Sequence, residues 1–180
     1  LTVLNQGGAV TVAGNVIEFR EGSNIASSTL GDGDAGSITI TATDHLGLLQ
    51  SSPSGRPSGL FSNSVGELGS LGKAGDIVIA TPTLQITGGA RIDTTTATSS
   101  RGGNVTINTT NSTSMSGENG GFPPDPLFSL GTIQSSGIFT RTIGGNCAGS
   151  CGNAGKVSIN TGSLSMGAGS QINSGTSSSG

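Results

Sequence analysis

The sequence predicts an all-β protein, a right-handed parallel β-helix (β-solenoid) of about five coils of ~28 residues. Three observations predict it: a short word that recurs along the chain, a second landmark at a fixed distance after it, and alternating apolar residues between the two. Because each coil of such a fold stacks on the one before it, residues 1–180 are expected to form a single domain, a section of a longer repeat protein.

The recurring word is a glycine, one variable residue, and then two β-branched residues separated by one position. Its five copies begin at the anchor glycines Gly8, Gly36, Gly75, Gly103 and Gly155, at intervals of 28, 39, 28 and 52 residues. The two equal intervals indicate a structural repeat. The longer intervals indicate the same repeat with 11 and 24 inserted residues.

The second landmark is Gly-x-x-Ile, which begins 14 residues after an anchor glycine in the uninterrupted repeats. It occurs at Gly22–Ile25, Gly89–Ile92 and Gly169–Ile172. Between the two landmarks lie alternating apolar residues such as Leu84 and Ile86. Each repeat is therefore expected to contribute three short strands, with Gly, Asn and Ser at the corners between them.

Other repeat folds fit the composition less well. Propeller blades need four strands and recurrent aromatic residues, whereas the chain is 3% aromatic and has no Trp or Tyr. Leucine-rich repeats need a dense Leu ladder, which is absent from the sequence. A disordered Gly/Ser-rich linker would lack the regular apolar positions.

Two insertions are expected as corner loops, within about 41–58 and 111–135. The first contains Pro53 and Pro57. The second contains the run Phe-Pro-Pro-Asp-Pro at 122–126, whose prolines cannot donate ladder hydrogen bonds. The apolar side chains of the second loop, Phe122, Leu127 and Phe128, are the predicted contact residues.

The charge and the hydropathy of the sequence argue against a nucleic-acid partner and a membrane span. The net charge is −3 and the seven basic residues are scattered, so no nucleic-acid partner is expected. No apolar run approaches the roughly 18 residues of a membrane span. The chain opens within a predicted strand at Leu1, which suggests a processed product or a piece of a longer protein.

Few residues of the sequence could form a disulfide, bind a metal or take part in catalysis. Cys147 and Cys151 are the only cysteines, and their spacing predicts a small disulfide loop and an oxidising compartment. A metal site would need two further ligands, and His45 is the only histidine. Asp32 and Asp34 favour a polar corner over a calcium loop, with metal binding there left open. No catalytic, cofactor or metal site is predicted.

Polysaccharide-cleaving enzymes also use parallel β-helices, so that class is an alternative. Their sites need carboxylates on adjacent coils, whereas the repeat places Asp76 beside Asn104 and Lys156 and gives Asp93 no acidic neighbour. A carbohydrate- or ice-binding solenoid is a further alternative. An ice-binding face needs threonine ladders, and a run of three threonines occurs only at 94–96.

The amino-acid sequences of several repeats resemble those of one known family. Residues 153–180 (NAGKVSINTGSLSMGAGSQINSGTSSSG) and 136–142 (SGIFTRT) are similar to the repeat region of cyanobacterial filamentous-haemagglutinin-like exoproteins of two-partner secretion systems. The resemblance implies export, a long β-helix, and a role in adhesion at the outer surface of a bacterium, in this case a cyanobacterium. The family's secretion domain with its Asn-Pro-Asn motifs is not among these residues.

The sequence thus predicts a non-catalytic, extracellular adhesin stalk or filament subunit. Its expected partners are further copies stacked end to end or neighbouring coils of the same protein, together with cell-surface glycans or other cells. Open sheet edges at the two ends of the solenoid favour such stacking.

Overall fold

A computed structural model describes residues 6–66, 70–120, 133–143 and 151–177. Within these ranges the chain forms thirteen β-strands and no helix. The strands are β1 (Val10–Arg20), β2 (Asn24–Ala26), β3 (Ile38–Leu49), β4 (Gly59–Phe61), β5 (Ile77–Thr87), β6 (Arg91–Asp93), β7 (Val105–Ser116), β8 (Glu118–Gly120), β9 (Ile133–Phe139), β10 (Thr142–Ile143), β11 (Val157–Met166), β12 (Ser170–Asn173) and β13 (Thr176–Ser177).

The chain alternates between two parallel sheets. The long sheet has the order β1-β3-β5-β7-β11, and the short sheet has the order β2-β4-β6-β9-β12. All neighbours in both orders pair in parallel, and β8 alone adds an antiparallel strand beside β9. The prediction of an all-β fold with parallel sheets is confirmed.

The first two strands predicted for each repeat are one continuous strand with a bulge. In β5 the buried positions are Ile77, Ile79 and Thr81, and then Leu84 and Ile86. The step of three between Thr81 and Leu84 breaks the period of two. The strand pairing shifts register at this place. A bulge adds one residue and bends the strand, so both apolar segments face the interior.

The third strand predicted for each repeat, at Gly-x-x-Ile, is present and lies in the short sheet, for example as β2, β6 and β12. Beyond the short sheet the structure has a column of bridges of one or two residues, which the sequence did not predict. Thr29, Ser64, Thr96 and Thr142 form single parallel bridges in succession, and Thr142 also pairs with Thr176 between β10 and β13. A third column of backbone pairing therefore accompanies the two sheets.

The anchor glycines repeat because each lies against the carbonyl of the one before it. A Cβ added to Gly36 would lie 2.2 Å from the Gly8 oxygen, and one on Gly75 would lie 2.3 Å from the Gly36 oxygen. A Cβ added to Gly103 would lie 2.0 Å from the Gly75 oxygen, and one added to Gly155 would lie 1.9 Å from the Gly103 oxygen. Real side chains do not approach this closely, so only glycine permits the stacking distance.

The interior is filled by stacked apolar side chains. Residues at corresponding places in successive strands form columns, for example Ile38, Ile77 and Val105, which are all fully buried. Fully buried Leu60, Ile92 and Ile138 form a similar column from the short sheet. These residues belong to one hydrophobic core that runs through both sheets.

A column of hydroxyls, which the sequence reasoning missed, lines the corner after the short sheet. Ser62 Oγ donates to the Gly36 carbonyl over 2.6 Å and also accepts from the Gly75 N–H over 3.1 Å. Equivalent side chains donate to anchor-glycine carbonyls elsewhere, namely Ser27 to Gly8, Thr94 to Gly103, and both Thr140 and Ser174 to Gly155. These bonds satisfy carbonyl oxygens of the anchor glycines.

The extra residues of the second repeat are distributed over three places, whereas the sequence suggested one loop within 41–58. Residues 41–49 lie in β3, which has one additional bulge residue relative to β1. Nine residues join β3 to β4 where three join β1 to β2, and twelve residues separate Ser64 from β5 where eight separate Thr29 from β3. Corners accept added length because the ladder between them is undisturbed.

The second range, 111–135, also begins and ends in strand. Residues 111–116 belong to β7 and residues 133–135 belong to β9. Pairing of β7 with β5 and β11 continues through Met115, so the polar run at 109–114 still follows the ladder.

Candidate functional site

The outer strands of the long sheet expose residues of the interior columns. Leu164 follows Leu84 and Thr113 in one column, and Met166 follows Met115 in another. Leu164 is 46% exposed and Met166 is 45% exposed, because β11 has a paired neighbour on one side only. This edge therefore combines unpaired strand backbone with accessible apolar side chains.

At the opposite edge of the long sheet, the residue two positions before β1 is a glycine, although no neighbouring atom would exclude a side chain there. Gly8 occupies the anchor position, yet a Cβ added there would meet nothing within 4 Å. Each later anchor glycine is required by the carbonyl of its predecessor. The space beside Gly8 is open, so a carbonyl could approach Gly8 as the Gly8 carbonyl approaches Gly36.

The predicted stack of Asp76, Asn104 and Lys156 is present in the structure and serves the backbone. Asp76 Oδ1 accepts from the Asn104 backbone N–H at 2.7 Å and from its side-chain amide at 3.1 Å. Asn104 Oδ1 accepts from the Lys156 backbone N–H at 3.0 Å. The side chains of Asp76 and Asn104 thus link the starts of successive long strands.

The acidic corner at Asp32 and Asp34 also binds backbone groups. Asp32 Oδ1 accepts from the Leu71 N–H at 3.3 Å, and Asp34 Oδ1 accepts from the Lys73 N–H at 3.0 Å. Lys73 Nζ lies 3.4 Å from the second Asp34 oxygen in an exposed ion pair. Among the residues that the structure describes, no three His, Cys, Asp or Glu side chains are grouped as a metal site would need.

Most of the remaining predicted site residues cannot be placed in the structure. Cys147, Phe122, Leu127 and Phe128 lie outside the described residues, so the disulfide and the contact loop stay predictions. His45 pairs in register with Val16 and Thr83 in the long sheet.

A cluster of charged and aromatic side chains covers the outer face of the short sheet, and the sequence reasoning missed it. It comprises Arg91 and Asp93 from β6, Phe139 from β9, and Arg141 just beyond β9. The two guanidinium carbons of Arg91 and Arg141 each lie 4.9 Å from the centroid of the Phe139 ring. Both contacts fall within the range of cation–π attraction.

The charges in this cluster do not balance. Arg141 Nη2 lies 3.8 Å from Asp93 Oδ2, in an ion pair whose side chains are 20% and 4% exposed. Arg91 Nε donates to the Ser135 carbonyl at 3.3 Å. Burial lowers the pKa of Arg91, the Asp93 carboxylate opposes that effect, and the nearby Arg141 charge adds to it. Two cations thus share one carboxylate.

Two polar atoms in the same neighbourhood are buried without a hydrogen-bond partner, Arg141 Nε and Thr95 Oγ1. The backbone N–H of Thr95 is satisfied by both Asn63 Oδ1 and Asp93 Oδ1 at 2.9 Å. A comparison of residues 91–96 with residues 137–142 in register could have found the cluster. That comparison places Asp93 beside Phe139, and Thr95 beside Arg141.

The bulges of the long sheet form a second feature, a depression of about 420 Å³. Its lining is uncharged and crosses four strands: Thr41, Ala42, Thr43, Ala80, Thr81, Pro82, Asn108, Thr109, Thr110 and Asn160. Thr41, Ala80, Asn108 and Asn160 follow one another in register. An uncharged groove, lined by both polar and apolar atoms, therefore runs across the strands.

A further depression of about 380 Å³ contains the carboxylates Glu21 and Glu118. Glu21 follows β1, and Glu118 follows β7, which is three strands further along the long sheet. At a strand spacing of ~4.8 Å this separates their backbones by about 14 Å.

No family model matches the chain, and no significantly similar protein was found among curated proteins or among solved structures. The described residues contain no helix long and apolar enough to cross a membrane.

Proposed function

We propose that the chain is a section of an extracellular, non-catalytic structural or adhesive β-solenoid. In this proposal the two sheets and the bridge column are the faces of a right-handed parallel β-helix of about five coils. The protein acts as an adhesin stalk or as a filament subunit at the outer surface of a bacterium, in keeping with the resemblance of its repeats to filamentous-haemagglutinin-like exoproteins.

The observation that carries this proposal is the continuous parallel ladder with both edges prepared for another strand. Four consecutive pairings join the five long strands in one register pattern. Leu164 and Met166 extend interior columns into solvent at one edge, and Gly8 leaves room for a carbonyl at the other. Another coil of the same kind would bury the first and fill the second.

The mechanical role follows from the bonding. Every coil hydrogen-bonds to the next along its length, and the anchor glycines allow close approach at the corner. A stalk of this kind resists bending because bending would lengthen ladder bonds on one side. The inserted loops, with Phe122, Leu127 and Phe128, would present the adhesive surface to glycans or other cells.

One observation favours a second candidate, a carbohydrate-binding solenoid. The groove offers the hydroxyl of Thr41 and the amides of Asn108 and Asn160 without charge. Such groups suit the hydroxyls of a neutral glycan. The polysaccharide-cleaving alternative is less favoured, because Asp76 has Asn104 beside it and Asp93 has Phe139 beside it in register, where a catalytic pair would need a second carboxylate.

Electron microscopy with an edge variant tests the filament proposal. In an edge strand, alternate residues direct their backbone N–H away from the paired neighbour. The Val10 N–H bonds to the Ser37 carbonyl, so the Thr11 N–H faces the open edge. We expect long uniform fibres from the native material and from the wild-type chain at high concentration. Thr11→Pro should keep the fold but lose the fibres.

The matched control is Val10→Pro, which removes a bond inside the sheet and should unfold the edge strand. Discrete particles from native material and from the purified wild-type chain would contradict the filament proposal. Equal fibres from wild type and Thr11→Pro would show that β1 is not the assembling edge.

A further inference from the structure

We propose that the outer face of the short sheet carries an oxyanion-binding site, in which Arg91 and Arg141 hold a carboxylate or sulfate group. The site is separate from the sheet edges, so it goes beyond the proposed structural role and does not depend on filament assembly. It would give a stalk section a chemical specificity for acidic molecules.

The first argument is the number of unused donors. Each guanidinium carries five N–H groups. Among the described residues, Arg91 has one hydrogen bond, from Nε to the Ser135 carbonyl. Arg141 has an ion pair of 3.8 Å with Asp93, beyond hydrogen-bond distance. Guanidinium groups in folded proteins ordinarily bind carboxylates or sulfate-like groups with two parallel bonds, and neither arginine does so among the described residues.

The second argument is the charge balance. Two partly buried cations share the carboxylate of Asp93, and no second carboxylate pairs with either arginine in the part of the chain that the structure describes, which leaves one positive charge there without compensation. An uncompensated buried charge is costly, and the chain as a whole carries a net charge of −3. A local excess of positive charge in an acidic protein therefore needs an explanation. One bound anion would neutralise it.

The third argument is that the arginines are held in place without an anion. The Phe139 ring lies 4.9 Å from both guanidinium carbons and is 3% exposed. Phe139 is fixed in turn by the pairing of β9 with β6 and β12. Pre-ordered donors lose little entropy when a ligand binds.

The fourth argument is a second type of unpartnered group at the same place. Thr95 is 2% exposed and its Oγ1 has no hydrogen-bond partner. The Nε of Arg141, the residue beside Thr95 in the next repeat, also lacks a partner. A hydroxyl next to guanidinium groups is a common element of oxyanion sites, since both donate. The occupant is thus an oxyanion, since a neutral sugar would leave the positive charge uncompensated.

Nitrogen-15 NMR of the arginine side chains tests the proposal directly. The chain has five arginines, at positions 20, 56, 91, 101 and 141, so five Nε signals are expected. The wild-type protein is titrated with sodium sulfate and with sodium acetate, at an ionic strength held constant with sodium chloride. We expect saturable shifts of the Arg91 and Arg141 signals, with a dissociation constant on the order of 1–10 mM.

Variants assign the effect. Arg141→Gln should weaken the shift of Arg91 at least tenfold in apparent affinity. Arg20→Gln is the control, because Arg20 forms an exposed pair with Glu18 away from this face, and it should titrate like wild type. Equal, non-saturating shifts of all five arginines in the wild type would overturn the proposal, whether or not the variants fold. So would an unchanged affinity in a folded Arg141→Gln.

The source of the anion is then resolved with polymers. Polygalacturonate carries carboxylates, dextran sulfate carries sulfates, and dextran carries neither. Competition by one charged polymer at micromolar chain concentration would identify which acidic group is recognised. Equal competition by neutral dextran would contradict an oxyanion site. Fibre formation is a separate readout, so the failure of this site and the failure of the filament proposal are distinguishable.

Discussion

Gly75 lies directly against the carbonyl oxygen of Gly36, so close that a Cβ on Gly75 would approach that oxygen to 2.3 Å. The 39-residue interval from Gly36 to Gly75 includes all the added length of the second repeat. The contact is nevertheless kept, because the added residues enter at two corners and at one bulge of β3, and Ile38 and Ile77 remain paired in register.

Gly75→Ala is therefore expected to destabilise the fold by about 3 kcal/mol or more, since backbone rather than a movable side chain blocks the new methyl group. Urea unfolding followed by circular dichroism measures the change. Gly8→Ala is the matched control at the first anchor, where a Cβ meets open space, and it should change the free energy of unfolding by less than about 0.5 kcal/mol. Equal losses in both variants would contradict the steric explanation. If β1 assembles with another coil, Gly8→Ala should impair fibre formation while leaving the single chain folded.

Periodicity in the sequence accounts for much of the fold. The anchor glycines and the residues two and four places after them gave the correct alignment of the long strands, as the pairing of Ile77 with Val105 shows. Sequence alone could not distinguish a corner from a bulge at Thr81, since both consist of polar residues between apolar segments. The sequence also could not show that the first insertion is divided among three places, because the interval between anchor glycines gives only the total number of inserted residues.

The charged cluster was missed for a related reason. Arg91 and Arg141 are 50 positions apart, and their proximity depends on the register of the short sheet across the second insertion. Only Ile92 and Ile138 mark that register in the sequence. Without it, Asp93 had no visible partner.

The hydroxyl column provides the second prediction. Ser62→Ala removes the donor to the Gly36 oxygen and the acceptor for the Gly75 N–H, inside a fully buried corner. A loss of about 1–3 kcal/mol is expected from these unsatisfied groups. Ser54→Ala, at an exposed loop position whose hydroxyl contacts Ser52, should be close to neutral. Thermal unfolding compares them. A neutral Ser62→Ala would mean that water replaces the hydroxyl.

The third prediction concerns the charge of Asp93. Asp93→Asn keeps an oxygen for the Thr95 N–H but removes the negative charge beside Arg141. About 1–3 kcal/mol of stability should be lost, because two partly buried cations then lack any carboxylate. Glu18→Gln is the control, since its ion pair with Arg20 is exposed, and it should cost no more than about 0.5 kcal/mol.

Sulfate supplies an internal check on that result. If Arg91 and Arg141 bind an oxyanion, added sulfate should recover part of the stability of Asp93→Asn, beyond its effect on wild type at equal ionic strength. An Asp93→Asn protein as stable as wild type without added anions would contradict the charge argument.

The last prediction is the Cys147–Cys151 disulfide. The two cysteines are the only ones in the chain, so intact-protein mass spectrometry after alkylation without reductant should show no added label. Reduction should then allow two labels. Because the bridge closes a loop of five residues, loop-closure entropy predicts a loss of about 2 kcal/mol on reduction. The Cys147→Ser, Cys151→Ser double variant should show a similar loss and no dependence on reductant. Two labels on the native, unreduced protein would refute the bridge, and with it the argument for an oxidising compartment that rests on these residues.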